Sequence, residues 1–102
     1  MRLSIVSMSE DLPNAAAVRV DLAAHLEFLL ARPLGCPSDV DHWRDMATEA
    51  EKYIMENWSK LNREVPHQVL HYFCDADIRL KDIEYRRMQE SAVRNFIAEL
   101  RE

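Results

Sequence analysis

A single glycine, Gly35, among 102 residues leaves too few left-handed corners for the tight hairpins of a sheet protein, and it excludes a glycine-rich phosphate-cradling loop. No apolar run approaches the ~20 residues of a membrane span. The opening MRLSIVSMSEDLP reaches acidic residues too soon to serve as a secretory leader. Cysteine is equally sparse. Cys36 and Cys74 fall in unlike contexts, a loop and a helix, so neither a structural disulfide nor a zinc knuckle built from paired cysteines is expected. These absences point to a cytoplasmic chain that spans no membrane, forms one domain over residues 1–102 and carries no cofactor.

What the chain has in plenty is Ala, Leu, Glu, Arg and Met, which favour helix. Its 18 acidic and 13 basic residues give a formal charge of −5, which opposes the counterion-release attraction behind non-specific nucleic-acid binding. Direct contact with DNA or RNA is therefore not expected. The C-terminal cations Arg79, Lys81, Arg86, Arg87, Arg94 and Arg101 interleave with Asp77, Asp82, Glu84, Glu90 and Glu99, a pattern that reads as a solvated, ion-paired face.

Boundary signals divide the chain into an all-α antiparallel bundle of three helices, or four if the last region breaks. The first helix is expected over 10–31, with Glu10 and Asp11 complementing its positive end and Pro13 in its first turn. Residues 1–8 read as a loose arm or a short strand. RPLGCPSD ends the first helix, and Ser38 with Asp41 forms a capping box for a second over 39–62. Pro66 opens a third region, 67–100, which holds neither Gly nor Pro and would be about 50 Å long if unbroken. A break near Asp75 to Asp77 is the alternative.

Apolar spacing assigns faces to these helices. In the second, Val40, Trp43, Ala47, Ala50, Ile54, Trp58 and Leu61 share one arc, opposite Asp41, Asp45, Glu49 and Glu56. The acidic row is a candidate docking face for a protein partner. The first helix carries two apolar arcs, one of Leu12, Ala15, Val18, Leu22, Leu26 and Leu29, the other of Ala17, Val20, Ala24, Phe28 and Ala31, and so needs two packing partners. In the third region Val69, Phe73, Ala76, Leu80 and Ile83 form a core stripe. Tyr85, Met88, Ala92, Phe96 and Leu100 form another that points away from it in a straight helix. Val20, Phe28, Tyr85, Met88, Phe96 and Leu100 are thus the expected interface of a two-fold homodimer.

One constellation invites a chemical reading. His67, His71 and Cys74 are spaced four and three apart, which gathers them on one helical face, and zinc accepts such donors. The set lacks a fourth ligand and no glycine-rich oxyanion turn accompanies Cys74, so neither a bound metal nor catalysis is expected. The sequence favours a non-enzymatic protein-binding module, an adaptor, regulator or inhibitor acting as a homodimer on an unidentified protein target. A metal-dependent enzyme or sensor using His67, His71 and Cys74 is the alternative, and an acidic nucleic-acid mimic a further one.

Overall fold

The computed structural model describes residues 14–62 and 64–102. Helix α1 spans Ala15–Leu30, α2 Pro37–Glu56, α3 His67–Tyr72, α4 Ala76–Lys81 and α5 Ile83–Leu100, with a 3-10 turn over Trp58–Leu61 between α2 and α3. The fold is all-α, with no strand among the described residues. None of the described helices is long and apolar enough to cross a membrane. The expected N-terminal arm, and the part of the first helix placed over residues 10–13, lie outside the described residues.

Asn14 caps α1: its side-chain oxygen accepts the Ala17 N–H at 2.8 Å, satisfying a donor that has no partner inside the helix. The helix buries Val18, Leu22, Ala23, Leu26 and Leu29, the arc expected of it. At its other end the Leu29 carbonyl accepts the Arg32 N–H and also the Trp43 indole N–H, each at 3.1 Å, which docks α2 on the last turn of α1. The start of α2 differs from the expected capping box. Pro37 occupies the first turn after Cys36, and Asp39 rather than Asp41 reaches back, accepting the Gly35 N–H at 2.8 Å. Proline suits this position because its missing N–H would be unpartnered there anyway. The bond from Gly35 holds the Asp39 carboxyl below its ordinary pKa. Val40, Trp43, Ala47, Ala50 and Ile54 are buried along α2, as their spacing requires.

The third region is not one helix. It stops after Tyr72, restarts at Ala76 and again at Ile83. The first break is held by a side chain: Arg79 Nη1 donates to the Tyr72 carbonyl at 2.7 Å, a carbonyl that in a continuous helix would accept from the backbone four residues on. The second falls at Asp82, whose extended backbone and carboxylate cap α5 by accepting the Tyr85 N–H at 3.0 Å. These two bends re-aim α5. It runs antiparallel to α1, with Arg86 donating to the Leu34 carbonyl at one end and Arg101 paired with Glu27 towards the other. Val93, Phe96, Ile97 and Leu100 therefore enter the same core as Val69, Tyr72 and Phe73. Ile83, expected in that core, is instead exposed, because the turn at Asp82 ends the stripe just before it.

Asn62 leaves the 3-10 turn with φ of 55°, in the left-handed region. Asparagine tolerates this conformation, whereas a Cβ without a local hydrogen-bonding group pays for it more heavily. Asn62→Ala is expected to lower unfolding free energy by about 1 kcal/mol and Asn62→Gly to leave it nearly unchanged, as measured by urea denaturation.

Candidate interaction surface

The side of α1 turned away from the core leaves an apolar stripe exposed among the described residues. Val20 is 55% exposed and Phe28 49% exposed, and Ala17, Ala24 and Ala31 are exposed with them. This is the second arc read from the sequence. Its flanks are ordered by polar contacts. On one, Tyr53 of α2 donates to Asp21 at 3.0 Å while its ring lies 5.0 Å from that of His25. Arg32 places its guanidinium 4.3 Å from the Phe28 ring and donates to the Phe28 carbonyl. On the other flank Glu27 receives two bonds from Arg101. Open depressions run along both sides, one of about 350 Å³ lined by Asp21, Ala24, His25, Phe28 and Tyr53, the other of about 620 Å³ reaching Ala31, Arg94 and Ile97. A ridge between two grooves is the relief that helices use to pack on one another.

The other half of the expected interface is reassigned. Phe96 and Leu100, 5% and 3% exposed, belong to the chain's own core because the bends before α5 turn them inward. Tyr85 is half-buried and uses its hydroxyl within the chain, donating to Asp75 at 2.6 Å. Of the C-terminal residues only Met88 keeps a largely open side chain. Asp41, Asp45, Glu49 and Glu56 are exposed along α2.

His67 and His71 bring their rings to 4.5 Å, and His71 Nδ1 lies 3.9 Å from Asp75. Cys74 is an exposed free thiol just past the end of α3. Among the described residues no three His, Cys, Asp or Glu side chains are grouped so as to hold a metal ion. Beside this segment, between α2 and α3, an apolar groove of about 260 Å³ is lined by Glu51, Ile54, Met55, Leu70, Phe73 and Cys74, with Met55 74% exposed.

The residue that sequence reading most misplaced is Arg79. Far from the solvated face it was assigned to, it is 1% exposed. Its guanidinium lies 4.1 Å from the Tyr72 ring and 4.5 Å from the Trp43 ring. Nη1 donates to the Tyr72 carbonyl and, at 2.8 Å, to Gln89 Oε1, while Nη2 is buried without a partner. Gln89, fully buried, passes the polarity on: its amide donates to Asp75 at 3.0 Å and to the Tyr85 hydroxyl at 2.9 Å. Burial pushes Arg79 below its ordinary pKa, yet a guanidinium stays charged. Gln89 at helical spacing from Tyr85, Val93 and Phe96 was the one sequence signal of a polar element in this core. The network links α2, α3, α4 and α5 through Trp43, Tyr72, Arg79 and Gln89.

The chain matches no protein-family model, no curated protein and no solved structure.

Arg79→Ala leaves a cavity between two rings and two acceptors unpaired, and is expected to cost about 3 kcal/mol in urea unfolding. Arg79→Lys should recover less than half of that, since an ammonium cannot lie flat against both rings while donating in two directions. A loss under about 1 kcal/mol for Arg79→Ala would show that the site collapses readily.

The tyrosines supply a pH test. Burial, with help from Asp21, pushes Tyr53 up to about 12; burial pushes Tyr72 up to about 12 against the opposing charge of Arg79; and the bond to Asp75 raises Tyr85. Each phenol holds its proton more tightly when folded, so the unfolded chain ionises first as pH rises. Their contribution to stability is complete below the ordinary value of 10 and is lost as pH climbs towards 12. Ultraviolet titration should show native tyrosinate appearing later than in urea, with helix loss accompanying it. Coincident native and denatured titrations would contradict this.

Proposed function

We propose that this chain is a small acidic, non-enzymatic protein-binding module of the adaptor, regulator or inhibitor kind, which works in the cytoplasm as a homodimer through helix–helix contacts. The observation that carries this reading is the pair Val20 and Phe28, both about half exposed on a helix whose opposite side forms the core. Full burial of one such side chain is worth about 1.5–3 kcal/mol, which favours a protein contact over permanent hydration. With Phe96 and Leu100 in the chain's own core, the contact surface narrows to α1. The exposed acidic row Asp41, Asp45, Glu49 and Glu56 on α2 remains as a face for a basic protein target.

Light scattering over a concentration series should give a mass near twice 12.0 kDa. Phe28→Glu should weaken association by at least about tenfold while leaving the circular dichroism spectrum helical. A mass of 12.0 kDa throughout the micromolar range would reject the homodimer.

A further inference from the structure

Resting on the reading of the α1 face as a self-association surface, we propose that α1 pairs antiparallel with α1 of a second copy, about a two-fold axis that passes beside Ala24. The exposed apolar positions are arranged symmetrically around that residue. Val20 and Phe28 stand equally far on either side of it, as do Ala17 and Ala31, and all five are exposed. A two-fold contact between antiparallel helices requires this self-complementary spacing, because a residue a given distance before the axis meets the residue the same distance after it on the other copy. Each Val20 then meets a Phe28, each Ala17 an Ala31, and Ala24 meets Ala24. Large side chains face intermediate ones, and the alanines between them allow the helix axes to approach to about 9–10 Å. The grooves on either side of the ridge give the opposing Phe28 side chains room.

Charge selects the direction. Arg32, two residues past the end of α1, stands eleven residues or three turns after Asp21 and so falls on the flank that Asp21 begins. In the antiparallel pair that flank meets its own copy reversed, which brings Arg32 of one chain within about 7.5 Å, along the helix axis, of Asp21 of the other, within reach of an arginine side chain. A parallel pair would turn the Asp21 flank toward the opposite, Glu27-bearing flank of the other copy and would not bring Asp21 and Arg32 together. Glu27 on the opposite flank is already matched by Arg101 of its own chain, so it brings no uncompensated charge to the contact. The net charge of −5 would oppose any association that did not pair charges in this way.

Cysteine cross-linking tests the geometry directly. In a background of Cys36→Ser and Cys74→Ser, which are both exposed positions, Ala24→Cys places two thiols across the axis. Their Cα separation should fall within the roughly 4.4–6.8 Å that a disulfide tolerates. Oxidation with copper-phenanthroline in air should convert most of that variant to a covalent dimer, read on a non-reducing gel. Ala17→Cys and Ala31→Cys should not cross-link alone, and should do so when the two variants are mixed. Self-linkage of Ala17→Cys or of Ala31→Cys, or no linkage at Ala24→Cys in a protein that light scattering shows to be dimeric, would overturn the antiparallel pairing and leave the homodimer standing. A monomer by light scattering with no linkage anywhere would overturn both.

Discussion

Burying a guanidinium with no carboxylate touching it is costly, of the order of several kcal/mol, and the path of the C-terminal half is the arrangement that offsets that cost. The ring faces of Trp43 and Tyr72 supply cation–π attraction worth about 2 kcal/mol when desolvated, and the Tyr72 carbonyl and Gln89 accept charge-assisted hydrogen bonds. The balancing negative charge stands one step away, on Asp75, linked through the Gln89 amide. Each of these groups comes from a different segment: Trp43 from α2, Tyr72 from α3, Asp75 from the break, Gln89 from α5. Arg79 can be satisfied only when all four are in place, so one residue of α4 ties the register of three other helices.

That constraint also decides what the surface looks like. Arg79 bonds the Tyr72 carbonyl at the break between α3 and α4, and Asp82 then sends α5 back along α1. Val93, Phe96, Ile97 and Leu100 of α5 are spent on the core, and the large apolar side chains left exposed are Val20 and Phe28 on α1, with Met55, Leu70, Ile78, Ile83 and Met88 elsewhere. The division of labour between a packed inner arc and an open outer arc on one helix follows from the outer arc being built of alanine with only two larger residues, Val20 and Phe28. No further helix of the described chain is placed to cover it. Tyr53, Arg32 and Arg101 order the polar rims of that arc without occupying it.

The amphipathic pattern of α2, the inner arc of α1 and the exposed acidic row were all legible in the sequence, because each depends only on spacing along a single straight helix. The outer arc of α1 was legible for the same reason. The breaks at Phe73 to Asp75 and at Asp82 were not marked by glycine or proline. Their only trace was a stripe that changed sides near Glu84, together with an aspartate three residues ahead of Tyr85. The fate of Phe96 and Leu100 depended on those breaks, and so did the distinction between an interface and a core.

Composition and periodicity by themselves determined that this chain is helical, where its first two helices turn their apolar sides, and that α1 carries more apolar surface than one core can use. Tertiary structure alone decided that Arg79 is internal, that α5 returns to its own chain, and that Phe96 and Leu100 belong to the core rather than to the surface. Periodicity reports which residues share a face of one axis. Whether a charged residue can be buried, or a helix interrupted without glycine or proline, depends on aromatic rings, a carbonyl and an amide brought from segments up to 46 residues apart, from Trp43 to Gln89, and no local pattern encodes that meeting.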